Sequence, residues 1–255
     1  MMKMKRRKSI IYCCAAVGLV IVIILAAEGI NSLTRNKVDT SEGLEIIKQA
    51  SSADVKNIEN KMEKLEEKDR ENQEVQEEIK NRNYKAVFAN AVIMGDSISE
   101  AFMEYDLLNA SSVVAKIGVE LDQLDEQIES VAQINPQVIF LAYGMNDIIA
   151  TRGDTDEFVK QYDELFKKLQ EKLPDAKIFV NSIFPVQEQE IEREPAYKNL
   201  DQYNEALHSL CDKRQIAFID NTELVSDSYY EEDGVHFKES FYPFWLNRMA
   251  EGASL

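Results

Sequence analysis

The chain carries two histidines, and one of them closes the string Asp233-Gly234-Val235-His236. A carboxylate three residues before an imidazole can fold back in a loop, fix its tautomer and stabilise its cation. A histidine held in this way serves as general base for a hydroxyl nucleophile. The hydroxyl with the best setting is Ser97, in Gly95-Asp96-Ser97-Ile98-Ser99, where a short apolar run gives way to a helical one. At such a turn a serine is exposed at the sheet edge, and a helix N-terminus favours developing negative charge. The same string also reads as an ordinary serine N-cap. His208, the other histidine, falls inside a helical stretch and reads as structural.

Two more strings could supply donors to an oxyanion. Asn146, in Tyr143-Gly144-Met145-Asn146-Asp147, offers a neutral side-chain amide; its other reading is a turn that caps the next helix. Gly118, in Lys116-Ile117-Gly118-Val119, lets the backbone approach a ligand closely, or is simply a turn glycine.

The elements that must position these residues follow from the apolar pattern. Residues 91–94, 113–115, 138–142, 178–180 and 216–219 are brief, continuous apolar runs, the texture of strands buried on both faces of a parallel sheet. Between them, residues 121–134, 155–173 and 197–213 read as amphipathic helices. Alternating strands and helices imply an α/β domain of three layers. Functional groups in such sheets gather at the carboxyl ends of the strands, where all the strings above fall except Asp233–His236, which lies near the C-terminus.

Taken in order, Gly-Asp-Ser, Gly, Gly-x-Asn-Asp and Asp-x-x-His resemble the SGNH hydrolases, also called the GDSL esterase/lipase family. The resemblance runs from about residue 86 to the C-terminus. It implies a flavodoxin-like α/β/α sandwich with a parallel sheet of about five strands. It further implies a catalytic triad of Ser97 as nucleophile, His236 as base and Asp233 as its orienting acid. The oxyanion hole would comprise the backbone N–H groups of Ser97 and Gly118 and the amide of Asn146, with Asp96 and Asp147 shaping the loops. No metal or organic cofactor is implied. Gly118 is matched by its order and its preceding strand. The aromatic tail Phe241-Tyr242-Pro243-Phe244-Trp245-Leu246 reads as a closing helix packed on the core, the alternative being substrate binding.

The chain ahead of this domain has a different texture. Lys3, Lys5, Arg6, Arg7 and Lys8 precede residues 9–27, which contain no charge. A run of that length just spans a hydrocarbon core as a helix. The basic cluster places the N-terminus in the cytoplasm and the body outside. A cleaved secretory signal is the rival reading, and it exports the body equally. Residues 40–83 are rich in Glu, Lys, Gln and Asn without proline, and read as helix. Val55, Ile58, Met62 and Leu65 keep a coiled-coil spacing that falters at Asp69 and Asn72. The segment is therefore a solvated spacer or a short stalk that forms a homodimer. The expected organisation is an anchor at 1–29, a helical stalk at 30–84 and the hydrolase domain at 85–255.

Composition sets the outer limits. A net charge of −17 in 255 residues argues against a nucleic-acid partner, whose phosphates the body would repel. Cys13 and Cys14 lie in the apolar run, so the lone body cysteine, Cys211, has no partner for an internal disulfide and reads as a small buried hydrophobe. The expected function is a membrane-anchored extracytoplasmic esterase that removes a small acyl group such as acetyl from a cell-envelope glycan. A lipase or lysophospholipase, and a catalytically silent binding module on a stalk, are the alternatives. Transfer of the acyl group to a sugar instead of water would use the same triad.

Overall fold

The computed structural model describes residues 55–255. The expected anchor at 9–27, its basic flank and the stalk up to residue 54 lie outside the described residues. Among the described residues, no helix is long and apolar enough to cross a membrane. Helix α1, Val55–Asn81, exposes Met62 and Leu65 at 55% and 60%, so two of the four seam residues face solvent in this chain. The segment up to Glu71 forms a unit apart from Asn72–Leu255.

The second unit is built on a parallel five-stranded sheet. Its strands are β1 (Ala91–Gly95), β2 (Val113–Ala115), β3 (Val138–Ala142), β4 (Lys177–Asn181) and β5 (Ala217–Ile219). Their order is β2-β1-β3-β4-β5, all neighbours parallel. Every residue of β1 is buried, as is most of β3, which is why the runs are continuously apolar instead of alternating.

Helices flank this sheet in two groups. In the first, α3 (Thr155–Lys172) packs against both α2 (Asp125–Ile134) and α4 (Leu200–Arg214). Asp154 caps α3 by accepting the Glu157 N–H at 3.0 Å. Burial of Phe158, Leu165, Phe166 and Leu169 matters more: each such side chain contributes about 1.5–3 kcal/mol, against about 1 kcal/mol for a cap. In the second group, α5 (Ser97–Glu104) and α6 (Tyr242–Ala253) meet through Phe102, whose ring lies 4.9 Å from Trp245 and 5.3 Å from Tyr242. The aromatic tail thus forms the closing helix expected of it, with Trp245 fully buried.

Two expected helices are shorter than their patterns. The run at 121–134 begins as a single 3-10 turn, Leu121–Gln123, before α2 proper. The run at 197–213 begins as a 3-10 turn at Pro195–Asn199, ahead of α4 proper. Cys211 is buried on α4 and unpaired, and burial pushes its thiol up to about 12. His208, on the same helix, is exposed and stacks on Phe218 at 4.7 Å.

Candidate active site

The strand order brings the relevant loops together. β1 lies between β2 and β3, with Gly95 in register with both Ala115 and Ala142. The turns that follow these three residues therefore emerge side by side, and they carry Ser97, Gly118 and Asn146. Gly95 must be glycine for packing reasons: a Cβ there would lie 2.6 Å from the Ser99 Cβ.

Ser97 is the first residue of α5. Asp96 precedes it as N-cap, its carboxylate accepting the Ile98 N–H at 3.0 Å. The Ser97 hydroxyl lies 2.9 Å from His236 Nε2. On the other side of the ring, Nδ1 lies 2.6 Å from Asp233 Oδ2. The second Asp233 oxygen accepts the backbone N–H groups of Val235 and His236, each at 2.9 Å. The acid is thus fixed by its own turn before it fixes the ring. Burial raises the Asp233 pKa, but the N–H of Val235 and the ring and N–H of His236 outweigh this and hold it below the usual carboxylate range.

The Asp233–His236 loop is clasped from outside. The Gln187 N–H donates to the Gly234 carbonyl at 2.9 Å. Gly234 has φ +73°, and a Cβ there would lie 3.1 Å from the Gln187 Cβ. The short helix α7 (Glu188–Arg193) follows this contact. Nothing in the periodicity of 187–194 announces it, because Ile191 is its lone apolar residue.

The expected oxyanion donors are disposed as follows. The N–H groups of Ser97 and Gly118 find no acceptor among the described residues; for Ser97 that is the ordinary state of a first helical residue. Gly118 is exposed with φ +68°, and no atom lies within 4 Å of a Cβ built there, so backbone conformation and not space calls for glycine. Asn146 lies in the first turn of α8 (Met145–Thr151) and donates from Nδ2 to the Val119 carbonyl at 3.1 Å. One of its two amide hydrogens remains for another acceptor. The bond ties the β3 loop to the Gly118–Val119 backbone.

Two buried carboxyls sit behind these loops. Burial pushes Asp96 up to about 6, although the Ile98 N–H and His236 pull the other way. Burial pushes Asp147 up to about 7, against the pull of the Leu121 N–H and with the repulsion of Asp96 adding to it. Gln127 spans the same region, its amide donating to the Val114 carbonyl at 3.0 Å and the Gly95 carbonyl at 3.3 Å. A polar residue within the stripe Leu124, Ile128 and Val131 was the one sequence signal of that bridge. Among the described residues, no cluster of three or more His, Cys, Asp or Glu could hold a metal ion.

Residues 93–242 match the GDSL-like lipase/acylhydrolase family. None of the curated proteins matches the chain. Among solved structures, a putative acylhydrolase from Bacteroides fragilis is similar with a TM-score of 0.54 and 18% identity, over 64% of this chain and 86% of that one. A GDSL-like lipase from Bacteroides thetaiotaomicron gives 0.54 and 16%, over 64% and 87%. A carbohydrate esterase family 3 protein from Talaromyces cellulolyticus gives 0.51 and 14%, over 64% and 95%. At these identities the structures speak to the fold, while the family match covers more than half of the chain. The chain belongs to the GDSL-like lipase/acylhydrolase family and is a serine-dependent carboxylic ester hydrolase.

Proposed function

We propose that Ser97, His236 and Asp233 form the catalytic triad of an esterase that removes a small acyl group, acetyl above all, from a glycan of the cell envelope. The observation that carries this reading is the unbroken chain from the Ser97 hydroxyl through His236 to Asp233, at 2.9 and 2.6 Å. His236 Nε2 takes the hydroxyl proton as Ser97 Oγ attacks the ester carbonyl. The positive charge that then forms on the ring is stabilised by the Asp233 carboxylate. The Ser97 and Gly118 N–H groups and the free hydrogen of the Asn146 amide receive the oxyanion. His236 protonates the leaving alcohol, and water repeats the sequence on the acyl-enzyme.

The setting of the enzyme is part of the same proposal. Residues 9–27 form a membrane anchor behind a basic cytoplasmic flank, and helix α1, Val55–Asn81, is a spacer on the outer face. An ester hydrolase held there meets acylated envelope glycans, and a carbohydrate esterase among its fold relatives agrees with that substrate class. Acetate release from acetylated cell-wall polysaccharide, by wild type beside Ser97→Ala, tests the substrate. Release from p-nitrophenyl acetate with none from any acetylated glycan would confine the proposal to its chemistry.

A further inference from the structure

Strands β1 and β2 part where two of the donor-bearing loops begin. The bond that closes their pairing runs from the Lys116 N–H to the Gly95 carbonyl, at 3.2 Å. Ser97 stands two residues beyond Gly95, and Gly118 two beyond Lys116. One side chain is fastened across this point from the helix layer. Gln127, on α2, donates from Nε2 to the Val114 carbonyl at 3.0 Å and to the Gly95 carbonyl at 3.3 Å. Both partners are acceptors, so both hydrogens of one amide are engaged, one on each strand.

The place is an unusual one for an amide. Leu124, Gln127, Ile128 and Val131 keep the spacing of a single helical face, and all four are buried. An amide taken out of water there is tolerated because its hydrogens are bonded, yet an apolar side chain would fill the same face without needing partners. The Gly95 carbonyl already has the Lys116 N–H, so Gln127 is not required to satisfy it. Gly118, for its part, has no packing of its own: it is exposed, and no atom lies within 4 Å of a Cβ built there. The position of its N–H is set by what holds its loop, Asn146 at Val119 on one side and the strand end gripped by Gln127 on the other.

We infer that Gln127 is a positioning residue of the oxyanion hole: by bonding the carbonyls upstream of Ser97 and Gly118, it fixes the spacing between their two N–H donors. The inference rests on those N–H groups being donors of the hole. Donors aimed in advance stabilise the oxyanion without reorganising during the reaction, and a misplacement of about 1 Å costs about 100-fold in rate. Gln127 acts only through the backbone that it holds.

The test is Gln127→Met in the full-length chain, since methionine fills the apolar face and offers no donor. On p-nitrophenyl acetate, kcat should fall by at least about 10-fold, short of the roughly 100- to 1000-fold cost of losing a donor outright, with KM held within about twofold. Trifluoroacetone supplies a readout that a purely structural role would not move. Ser97 Oγ adds to its carbonyl carbon, the hydroxyl proton passes to His236, and the carbonyl oxygen becomes an oxyanion in the hole. Affinity for this ketone should fall by the same factor as kcat, because the adduct resembles the transition state. A folded variant with unchanged kcat, or with lowered kcat and undiminished ketone affinity, overturns the inference. Should the variant not fold, wild type alone decides. Bonds that favour the adduct are favoured by it to the same degree. Among the described residues Gln127 is the buried glutamine, and its side-chain amide hydrogens should exchange with solvent at least about fivefold more slowly in the adduct; an unchanged rate overturns the inference. Ser97→Ala separates the two claims. Turnover surviving in that variant removes the nucleophile and the hole with it, whereas an inert Ser97→Ala beside an unaffected Gln127→Met removes the positioning role alone.

Discussion

Asp147 Oδ1 accepts the backbone N–H of Leu121 at 2.8 Å, so the residue next to the proposed amide donor holds the far end of the loop that carries Gly118. Asn146 grips the same loop at Val119. Two consecutive side chains on α8 therefore fix the backbone between β2 and α2. Leu121 opens a single 3-10 turn closed by the Gln123 N–H on the Glu120 carbonyl, and its own N–H, left free by that turn, is taken by the Asp147 carboxyl.

Removing the acceptor should cost both stability and rate. In Asp147→Ala a buried N–H is left without a partner, at about 1–3 kcal/mol, and the oxyanion loop loses one of its two ties. Asp147→Asn keeps an oxygen in the same place. The expected order of kcat is wild type, then Asn, then Ala, with KM changing little. Steady-state kinetics beside thermal unfolding of the three proteins checks it.

The same carboxyl should impress a pH dependence on stability. Asp96 and Asp147 are raised from 3.8 to about 6 and about 7 in the folded chain. A group raised on folding contributes stability that is fully present below the unfolded value and is lost as pH rises through the folded one. Stability should therefore fall between about pH 4 and pH 7. The groups lowered in the fold, Asp125, Asp163, Asp220 and Asp233, act below that window. Asp147→Asn, which cannot titrate, should flatten the slope of Tm between pH 5 and pH 8, by roughly 5 °C across the range. A slope identical to wild type would contradict the assignment.

Asn146→Ala should lose about 100- to 1000-fold in kcat while the fold persists, the usual cost of one oxyanion donor. Loss of rate confined to KM would mean that Asn146 binds substrate and does not stabilise the oxyanion.

Asp233→Asn retains an oxygen for the Val235 and His236 N–H groups, so the turn should survive. The amide cannot stabilise an imidazolium or hold the same tautomer, and kcat should fall about 10⁴-fold. A fall below about tenfold would show that His236 is oriented by other means.

Much of this arrangement was legible in the sequence because it is local. The five short apolar runs became the five strands, with ends displaced by a single residue: β1 runs on to Gly95, β4 spans Lys177–Asn181, and β5 starts at Ala217 instead of Ile216. The Asp233 and His236 spacing closed as a turn because three residues suffice for the carboxylate to reach both backbone and ring. What escaped detection depends on partners far along the chain. Asp147 finds Leu121 across 26 positions, Gln187, in the β4–β5 connection, finds Gly234 beyond β5, and Asn204 finds Ile183 only once α4 has packed beside the sheet. None of these residues breaks a pattern strongly enough to announce its bond.

The most direct measurement is turnover of p-nitrophenyl acetate by wild type and by Ser97→Ala, both shown to be folded by thermal unfolding. Wild-type hydrolysis that falls by at least about 1000-fold in the variant is the predicted result. Equal turnover by the two folded proteins would contradict the account, since it would leave the Ser97–His236–Asp233 chain with no part in the reaction.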